Sequence, residues 1–414
     1  MVHEGWSEYG TMPFFSVIIP TKARPAMVDI ALYSLRHQIF SDFEVIITDD
    51  YDDEVLSCKT IVEKYQDERF IYVHPPDDPV LGMCGNWEYG LQFASGQYVG
   101  FMQDKMYMYS DTLQSLYTCI REEKMPDMIN WGWDFYSLYQ MDGISFEGSL
   151  NRRLDTMNQW ENRDPKAEIA KKLDFPNGSF QDHGGIPGCG SLLGGVIRAE
   201  ILHRINEKYG SIFNFFNPDY GPPLLLLSYV KTLVFFRDNL YVMIPLSDSE
   251  GIVHSVSYKA ACWFQELSPC GMERLQYATI PYLRITNTNM ISADYNYTMQ
   301  ILGRNERCNE ENVLKGIIRE AEYIRYDTQE DYQRENERIE KACQKRNWAV
   351  VKLPQDTGEG AILQYAYEKK GNILLECIRK FIPLRMKNMI KSCLGMPQYM
   401  TARYHTPKES IFRQ

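Results

Sequence analysis

Residues 15–25 and 38–50 read FSVIIPTKARP and QIFSDFEVIITDD, and these two stretches decide the fold class of the chain. Each holds a short run of β-branched and aromatic residues that ends in polar ones, a pattern typical of a strand buried on both faces. Between the two runs, apolar residues recur at helical spacing at Met27, Ile30 and Leu35. A strand, a helix and a second strand in this order predict a parallel sheet covered by helices.

The same alternation continues to about residue 102. Helices are predicted over 56–65 and 86–94, and strands over 70–74 and 98–102. In such α/β sheets, ligands bind beyond the carboxyl ends of the parallel strands. Three polar clusters follow strand ends, so they are predicted to meet in one crevice. They are Thr21-Lys22-Ala23-Arg24, Asp49-Asp50-Tyr51-Asp52 and Gln103-Asp104-Lys105.

Beyond residue 126 the pattern is weaker. A strand is predicted over 130–133, and the polar stretch 141–185 is predicted to form a long loop over the site. Further elements are expected as helices over 200–209, 222–233 and 320–345 and a strand over 241–244. We divide the chain into an N-terminal extension (1–13), an α/β domain (14–260), a helical extension (261–370) and a basic tail (371–414).

The composition indicates a large folded domain with an appendage, since 44% of the 414 residues are hydrophobic and 24% are charged. The net charge of −11 argues against general nucleic-acid binding, which usually needs a basic face. Ten cysteines without a CxxC pair argue against a zinc site and suit a reducing compartment. The start does not look like a signal peptide, and no apolar run reaches the roughly 18 residues of a spanning helix. We therefore expect a cytoplasmic protein.

The segment 371–414 reverses the charge balance, with eight Lys and Arg against two Glu. Within it, residues 384–394 (LRMKNMIKSCL) follow Pro383 and place most of their apolar side chains on one side of a predicted helix. Two interpretations stay open. In the first, residues 371–395 contact the anionic surface at the inner face of a membrane. In the second, the predicted helix packs on the acidic remainder of the chain.

The order of these motifs resembles that of family-2 glycosyltransferases, which have the GT-A fold. The resemblance rests on five stretches spread over residues 14–245, namely 15–25, 38–50, Gly85-Asn86-Trp87, 94–98 (ASGQY) and Asn217-Pro218-Asp219-Tyr220. It implies inverting transfer of a hexose from a nucleotide-sugar, a UDP-sugar by preference, to a hydroxyl of a glycan or lipid-linked acceptor. It points to bacterial cell-surface glycan synthesis. The fold that it implies is α/β, with a mostly parallel sheet between helices and a helical C-terminal extension.

The resemblance also implies roles for individual residues. Those expected to bind the nucleotide-sugar are Pro20, Thr21, Arg24, Asp49, Asp50, Asn86, Asp104 and Lys105. A carboxylate at a strand end, such as Asp49 or Asp50, can accept hydrogen bonds from a base N–H or from ribose hydroxyls, or it can simply be a turn or cap residue. Arg24 either reaches the phosphates or is a surface arginine.

Asp219 is the expected general base. An inverting transfer needs a carboxylate to take the proton of the acceptor hydroxyl. The alternative is that Asp219 caps a helix that begins near Pro222. Asp182 and His183, in the polar stretch, are the second choice for the base, and His254 is expected to be an ordinary histidine.

The sequence departs from the family at the metal-binding DxD motif, where it reads Gln103-Asp104-Lys105-Met106. The charge that develops on the leaving diphosphate still has to be neutralised. Asp104 could hold Mg²⁺ or Mn²⁺ together with phosphates and water, or Lys105 could supply the cation. A third interpretation is a silent nucleotide-sugar-binding or scaffold protein. A nucleotidyltransferase is disfavoured because residues 21–25 lack the glycines of a phosphate loop.

Overall fold

The structure is a computed structural model. It describes residues 12–51, 57–75, 81–139, 147–154, 160–175, 188–246, 253, 255–348 and 398–412. The strands in these parts form two sheets, one of eight strands and one of five.

The first part of the chain alternates strands and helices as predicted. Its elements are β1 (Phe15–Thr21), α1 (Pro25–Arg36), β2 (Phe43–Asp49), α2 (Lys59–Tyr65), β3 (Phe70–Val73), α3 (Gly82–Leu91) and β4 (Tyr98–Phe101). β1 pairs in parallel with β2 and with β4, and β2 pairs in parallel with β3. All seven residues of β1 are buried, because the strand lies inside the sheet and both of its faces are covered.

The middle of the chain completes the large sheet and builds most of the small one. Its elements are β5 (Met106–Met108), α4 (Thr112–Glu122), β6 (Met128–Asn130), β7 (Trp133–Leu138), β8 (Gly148–Leu154), β9 (Trp160–Arg163), α5 (Pro165–Asp174), β10 (Gly195–Arg198), α6 (Ala199–Tyr209), α7 (Pro223–Tyr229), β11 (Leu233–Phe236) and β12 (Tyr241–Met243). The large sheet has the order β3-β2-β1-β4-β10-β6-β11-β9, with β10 antiparallel to both of its neighbours.

The described residues after β12 are helical up to residue 348, and those from 398 onward form a strand and a short 3-10 helix. The elements are α8 (Tyr258–Glu266), a 3-10 helix (Met272–Tyr277), α9 (Asn287–Ile301), α10 (Glu310–Ala321), α11 (Gln329–Gln344), β13 (Gln398–Tyr404) and a second 3-10 helix (Pro407–Ser410). The small sheet has the order β13-β8-β7-β12-β5. The predicted fold class is confirmed: an α/β fold with a mostly parallel central sheet, flanking helices and a helical C-terminal part.

Several predicted elements are wrong in detail. The stretch 141–185 is not one long loop, since it contains β8, β9 and α5. Because the stretch is mostly polar, the sequence pattern did not indicate α5. This helix is capped by Asp164, which accepts a hydrogen bond from the Lys166 N–H, and it buries Ile169. The helix predicted over 222–233 ends at Tyr229, because the chain then enters β11.

The predictions for 130–133 and 320–345 also each merged two elements. β6 ends at Asn130 and β7 begins at Trp133, so the predicted strand spans a junction between two sheets. The long helix is interrupted between α10 and α11, where Thr328 accepts a hydrogen bond from the Asp331 N–H and starts α11.

The segment after residue 397 docks on the α/β domain. β13 pairs antiparallel with β8 over seven residues. Ile411 is fully buried in a cluster that includes Met27 and Ile30 of α1, and Lys408 Nζ lies 2.6 Å from Asp29 Oδ2. Among the residues that the structure describes, no helix is both long enough and apolar enough to cross a membrane. The predicted amphipathic stretch, 384–394, lies outside the described residues, and the predicted division into domains stays a prediction.

Candidate active site

The carboxyl ends of β1, β2 and β4 lie side by side at one edge of the large sheet. Thr21, the last residue of β1, lies opposite Asp49, the last of β2. Thr21 Oγ1 donates a hydrogen bond to Asp104 Oδ2 over 2.8 Å, and the Asp50 N–H donates to the Thr21 carbonyl over 3.0 Å. The three polar clusters therefore meet in one place, as their topology predicted.

Asp49 is fully buried, and the protein itself engages its carboxylate. Oδ2 accepts hydrogen bonds from the Cys58 N–H over 2.7 Å and from the Tyr72 hydroxyl over 3.2 Å. Oδ1 accepts from the Ala23 N–H over 3.4 Å. The carboxylate thus ties the loop after β1 and the start of α2 to the end of β2. Its predicted role toward a nucleotide stays a prediction and has to coexist with these bonds.

Asp50 is also buried, but its carboxylate accepts fewer hydrogen bonds from the described residues than that of Asp49 does. Asp50 Oδ1 accepts a hydrogen bond from the Leu81 N–H over 3.1 Å. Burial raises the pKa of Asp50, while the Leu81 and Gly82 N–H groups and the charge of Lys22 oppose the rise. A hydrogen bond to such a poorly hydrated carboxylate is stronger than one in bulk water. Asp50 is therefore well placed to accept a hydrogen bond from an N–H or O–H of a ligand bound at this edge of the sheet.

An aromatic pair stands beside these carboxylates. The rings of Tyr51 and His74 stack with their centroids 4.1 Å apart and their planes at 20°. His74 Nδ1 lies 2.7 Å from the Asp49 carbonyl oxygen, and the His74 side chain is exposed. Flat rings at a strand end offer a stacking surface for a nucleobase. Sequence reasoning did not assign this pair, although Tyr51 belongs to one of the predicted polar clusters and His74 ends a predicted strand.

Asn86 joins the ends of β1 and β2, and Pro20 is buried nearby. Asn86 Nδ2 donates to the carbonyl oxygens of Thr21 and Thr48 over 3.1 and 3.2 Å, and Asn86 Oδ1 accepts from Thr48 Oγ1 over 2.6 Å. Pro20 is buried within β1, opposite Thr48. Their predicted contacts with a nucleotide-sugar stay predictions.

Arg24 lies directly before α1 and turns toward Asp104. Ala23 adopts a φ of 56°, in the left-handed region that most residues avoid. Arg24 Nη1 lies 3.6 Å from Asp104 Oδ1, and the Arg24 side chain stays 27% exposed. The guanidinium therefore has a buried anionic neighbour and is itself partly exposed to solvent.

The donor set around Asp104 does not fit a divalent metal that the protein holds alone. Mg²⁺ and Mn²⁺ prefer several oxygen ligands. Asp104 offers one carboxylate, which already accepts from Thr21 and faces Arg24. Among the described residues, no group of three His, Cys, Asp or Glu could hold a metal ion. Metal binding by Asp104 stays a prediction that needs phosphates and water as further ligands, and we assign no step to a metal.

Asp219 lies before α7 and is only 8% exposed. Gln103 Nε2 donates to Asp219 Oδ2 over 3.2 Å. Asp219 Oδ1 is buried and has no hydrogen-bond partner among the residues that the structure describes. Burial raises the pKa of Asp219 to about 7, and the charge of Lys105 opposes the rise. A carboxyl group that titrates near neutral pH can take a proton and release it again.

The segment 211–221, which we call the base loop, is held from several sides. Glu88 Oε2 accepts from the Ile212 and Phe213 N–H groups over 2.9 and 2.8 Å, and Cys84 Sγ donates to the Phe215 carbonyl over 3.2 Å. A side chain at Gly221 would collide with Phe215, so the loop can close only on a glycine. The loop thus fixes the backbone that carries Asp219.

The helical C-terminal part contributes a buried ion pair to the base loop. Arg274 Nη1 lies 2.9 Å from Asp294 Oδ1, and the two side chains are 4% and 1% exposed. Asp294 Oδ2 accepts from the Phe216 N–H over 3.1 Å, and Arg274 Nη2 donates to the Asn214 carbonyl over 3.1 Å. The pair therefore connects the helical part to the loop that carries Asp219.

Comparison with known proteins places part of this chain in a family. The sequence profile of the family described as "Glycosyl transferase family 2" matches residues 16–180. Residues 16–180 thus resemble a family-2 glycosyltransferase domain. The resemblance predicted from the sequence motifs is thereby confirmed.

A curated protein that is similar to part of this chain comes from Campylobacter jejuni. It is named GalNAc(5)-diNAcBac-PP-undecaprenol beta-1,3-glucosyltransferase and is 35% identical over 107 residues, which are 25% of this chain and 34% of the relative. The chain therefore matches about a third of that relative's length.

Similar solved structures include two of TarS from S. aureus. One holds residues 1–349 with UDP-GlcNAc, with 16% identity, a TM-score of 0.40, and coverage of 71% of this chain and 93% of that one. The other has 18% identity, a TM-score of 0.39, and coverage of 63% and 40%.

The structure brings together most of the residues predicted for the site. Pro222, not Asp219, occupies the N-cap position of α7, without a side-chain bond, so the cap interpretation of Asp219 is wrong. Asp219 lies outside the matched segment 16–180, so its catalytic role remains to be proposed. Four residues that the sequence analysis considered, Asp52, Asp182, His183 and His254, lie outside the described residues.

Sequence reasoning missed three residues around Asp219 and the loop that carries it. Gln103 was seen only as part of a degraded metal motif, and its bond to Asp219 spans 116 positions. Arg274 and Asp294 lie in a part of the chain without a recognised motif. No local pattern marks such contacts, because each is created when segments far apart in sequence pack together.

Proposed function

We propose that this protein is an inverting glycosyltransferase that moves a sugar from a UDP-sugar to an acceptor hydroxyl, with Asp219 as general base. The observation that carries the proposal is the state of Asp219. It is a buried carboxyl group with a pKa near 7, one oxygen held by Gln103, and the other without a partner among the described residues. Gln103 directly precedes Asp104, which bonds to Thr21 at the end of β1, so Asp219 lies near the carboxyl ends of the strands.

In this proposal the reaction is a single displacement. The acceptor oxygen forms a bond to the anomeric carbon of the donor, and the bond between that carbon and the diphosphate oxygen breaks. The electron pair leaves with the diphosphate, and the acceptor proton passes to Asp219 Oδ1. Asp50 accepts hydrogen bonds from the uracil or ribose, and the Tyr51–His74 pair stacks on the base.

Basic side chains of the chain can stabilise the leaving diphosphate. Arg24 stands at the crevice beside Asp104 and is partly exposed. Lys105 is half-buried, and its charge acts on Asp219. Cations placed where negative charge develops lower the barrier without reorganising during the reaction. If a divalent metal binds, it adds Lewis-acid stabilisation of the diphosphate, with Asp104 as its protein ligand.

We further propose that the acceptor is a glycan carried on a lipid. The name of the Campylobacter jejuni relative describes a polyprenyl-diphosphate-linked substrate. The basic stretch within 371–395 would help an acidic protein to approach an anionic membrane that contains such an acceptor.

The test is turnover of a panel of UDP-sugars by the purified full chain, with and without Mn²⁺, for wild type and the Asp219→Asn variant. We expect UDP release by wild type with at least one donor. In Asp219→Asn we expect donor affinity to be kept and the rate to fall about 10²–10⁴-fold, as for loss of a positioned base. Donor binding without UDP release by wild type would instead favour the silent binding protein.

A further inference from the structure

Gln103 and Asp219 form a hydrogen-bonded pair with two unused oxygens. Gln103 Nε2 donates to Asp219 Oδ2 over 3.2 Å. Gln103 Oε1 and Asp219 Oδ1 are both inaccessible to solvent, and neither has a hydrogen-bond partner among the described residues. A buried oxygen without a partner is unfavourable, so such atoms usually mark a place where a ligand or water binds.

The chemistry of these oxygens restricts what binds there. An amide oxygen and a carboxylate oxygen are both hydrogen-bond acceptors, so the ligand must bring donors. Hydroxyl groups meet this requirement, and a sugar presents several on neighbouring carbons. Because Gln103 occupies Asp219 Oδ2, the carboxylate keeps Oδ1 for the proton of an attacking hydroxyl.

We propose that Gln103 is the positioning residue for Asp219, and that its Oε1 and Asp219 Oδ1 together bind two hydroxyls of the acceptor sugar. Asp219 Oδ1 takes the proton of the attacking hydroxyl, and Gln103 Oε1 accepts a hydrogen bond from a second hydroxyl of the same sugar. The proposal rests on the proposed function of Asp219 as general base. It identifies the acceptor as a sugar with two free hydroxyls close together.

The identity of residue 103 follows from the same geometry. An aspartate or glutamate there would put a second carboxylate beside Asp219, with no further cation among the groups described around it. Two carboxylates at such a distance repel, and the pKa of the base would rise above the range in which it works. The neutral glutamine instead donates an N–H to the carboxylate, which favours its ionised form.

The other groups that face Asp219 do not replace this role. Burial raises the pKa values of the Cys84 thiol and the Tyr220 phenol well above their usual range, so both stay neutral. The charge of Lys105 lowers the pKa of Asp219. Gln103 is thus a neutral donor to the carboxylate, set beside one cationic and two uncharged groups.

The first experiment uses hydrolysis of UDP-sugars, with water as acceptor, and compares wild type with Gln103→Met and Gln103→Glu. Methionine keeps the approximate size but removes the donor and the acceptor, and glutamate adds a second carboxylate. We expect an unchanged donor dissociation constant, a rate about tenfold lower in Gln103→Met, and a shift of the acid limb of the pH–rate profile to higher pH. The shift should be larger for Gln103→Glu than for Gln103→Met, an order that a purely structural defect does not produce.

The second experiment tests the two-hydroxyl site with octyl glycosides of glucose, galactose and N-acetylgalactosamine and their monodeoxy analogues. In wild type, removing the second hydroxyl should raise the acceptor KM about tenfold. In Gln103→Met, the same removal should change KM less than twofold. The inference would be overturned if removing the hydroxyl raised the acceptor KM equally in wild type and Gln103→Met. It would also be overturned if the acid limb of the pH–rate profile did not shift in either Gln103 variant. In both cases, donor turnover by wild type would still uphold the proposed function. Absence of any turnover by wild type would overturn the proposed function itself, and the inference with it.

Discussion

Two buried aspartates near the base loop both have a pKa that burial raises to about 7, but only Asp294 has an ionic partner, so they should respond in opposite ways to replacement by asparagine. Asp219 has one hydrogen bond from a neutral amide and a pKa raised by burial to about 7. Asp294 is 2.9 Å from the guanidinium of Arg274 and accepts from the Phe216 N–H. The first carboxylate is poorly compensated when ionised, and the second is paired.

The magnitude for Asp219 follows from its pKa, which lies at 3.8 in the absence of burial and at about 7 in the folded protein. A difference of one in pKa corresponds to about 1.4 kcal/mol, so ionised Asp219 costs the folded state at most about 4 kcal/mol. Because the folded pKa is the higher one, the stabilising effect of the bound proton is complete below pH 3.8 and is lost as the pH rises through 7. The Asp219→Asn variant should therefore match wild type near pH 4 and exceed its stability at pH 8.5.

Urea unfolding of wild type, Asp219→Asn and Asp294→Asn at pH 4 and pH 8.5 measures both effects. Asp294→Asn serves as the matched control, and it should lose about 3–5 kcal/mol at pH 8.5, because Arg274 is left buried without its counter-ion. Transfer assays on the same samples should show Asp219→Asn to be the more stable but nearly inactive protein. The reasoning is refuted if Asp219→Asn gains no stability between pH 4 and pH 8.5 relative to wild type.

The other predictions concern the donor, the cation and the tail. Asp50→Asn should weaken UDP-sugar binding by about 1–3 kcal/mol in calorimetry, as for an unpaired buried contact, and unchanged affinity in both it and Asp49→Asn would contradict the nucleotide role. If Lys105 supplies the cation, EDTA should reduce turnover modestly and Lys105→Ala severely; if Asp104 holds an essential metal, EDTA should abolish turnover and Mn²⁺ restore it. Full activity under both treatments would contradict both versions. Replacing the basic residues at positions 385, 387 and 391 by glutamine should weaken the free energy of binding to anionic vesicles by about 1 kcal/mol per lost cation, as measured by co-sedimentation. Binding equal to that of wild type would rule out membrane contact through this stretch. These substitutions are preferable to truncation at residue 370, because truncation would also remove β13.

The part of the fold that the sequence predicts well is the part built from local patterns. β1 to β4 are continuous apolar runs, and the helices between them show the 3.6-residue period, so each element is recognisable alone. The small sheet is different. β5 and β12 have three residues each, too short for any period to show, and β8 carries mostly polar residues. Such strands exist because distant segments pair, which a local pattern does not record.

For the candidate site as well, the sequence predicted which residues come together but not the individual contacts between them. Topology alone placed Thr21, Asp49 and Asp104 at one edge, because parallel strands end on the same side. It did not reveal that Asn86 uses its whole amide group to join β1 to β2, since this depends on where α3 crosses the sheet. Asp219 was identified through the resemblance, but the bond from Gln103 required the three-dimensional arrangement.

The pairing of β13 with β8 has a consequence for how the protein is made. The paired residues Asn151 and Thr401 are 250 positions apart. At a synthesis rate of about 5–20 residues per second, β8 emerges roughly 10–50 seconds before its partner strand exists. During that interval the edge of the small sheet is an open template for other chains, the situation in which nascent proteins aggregate. A ribosome that stalls between these two strands should therefore yield chains that depend on chaperones, and fast expression of the whole chain should yield more soluble protein than slow expression.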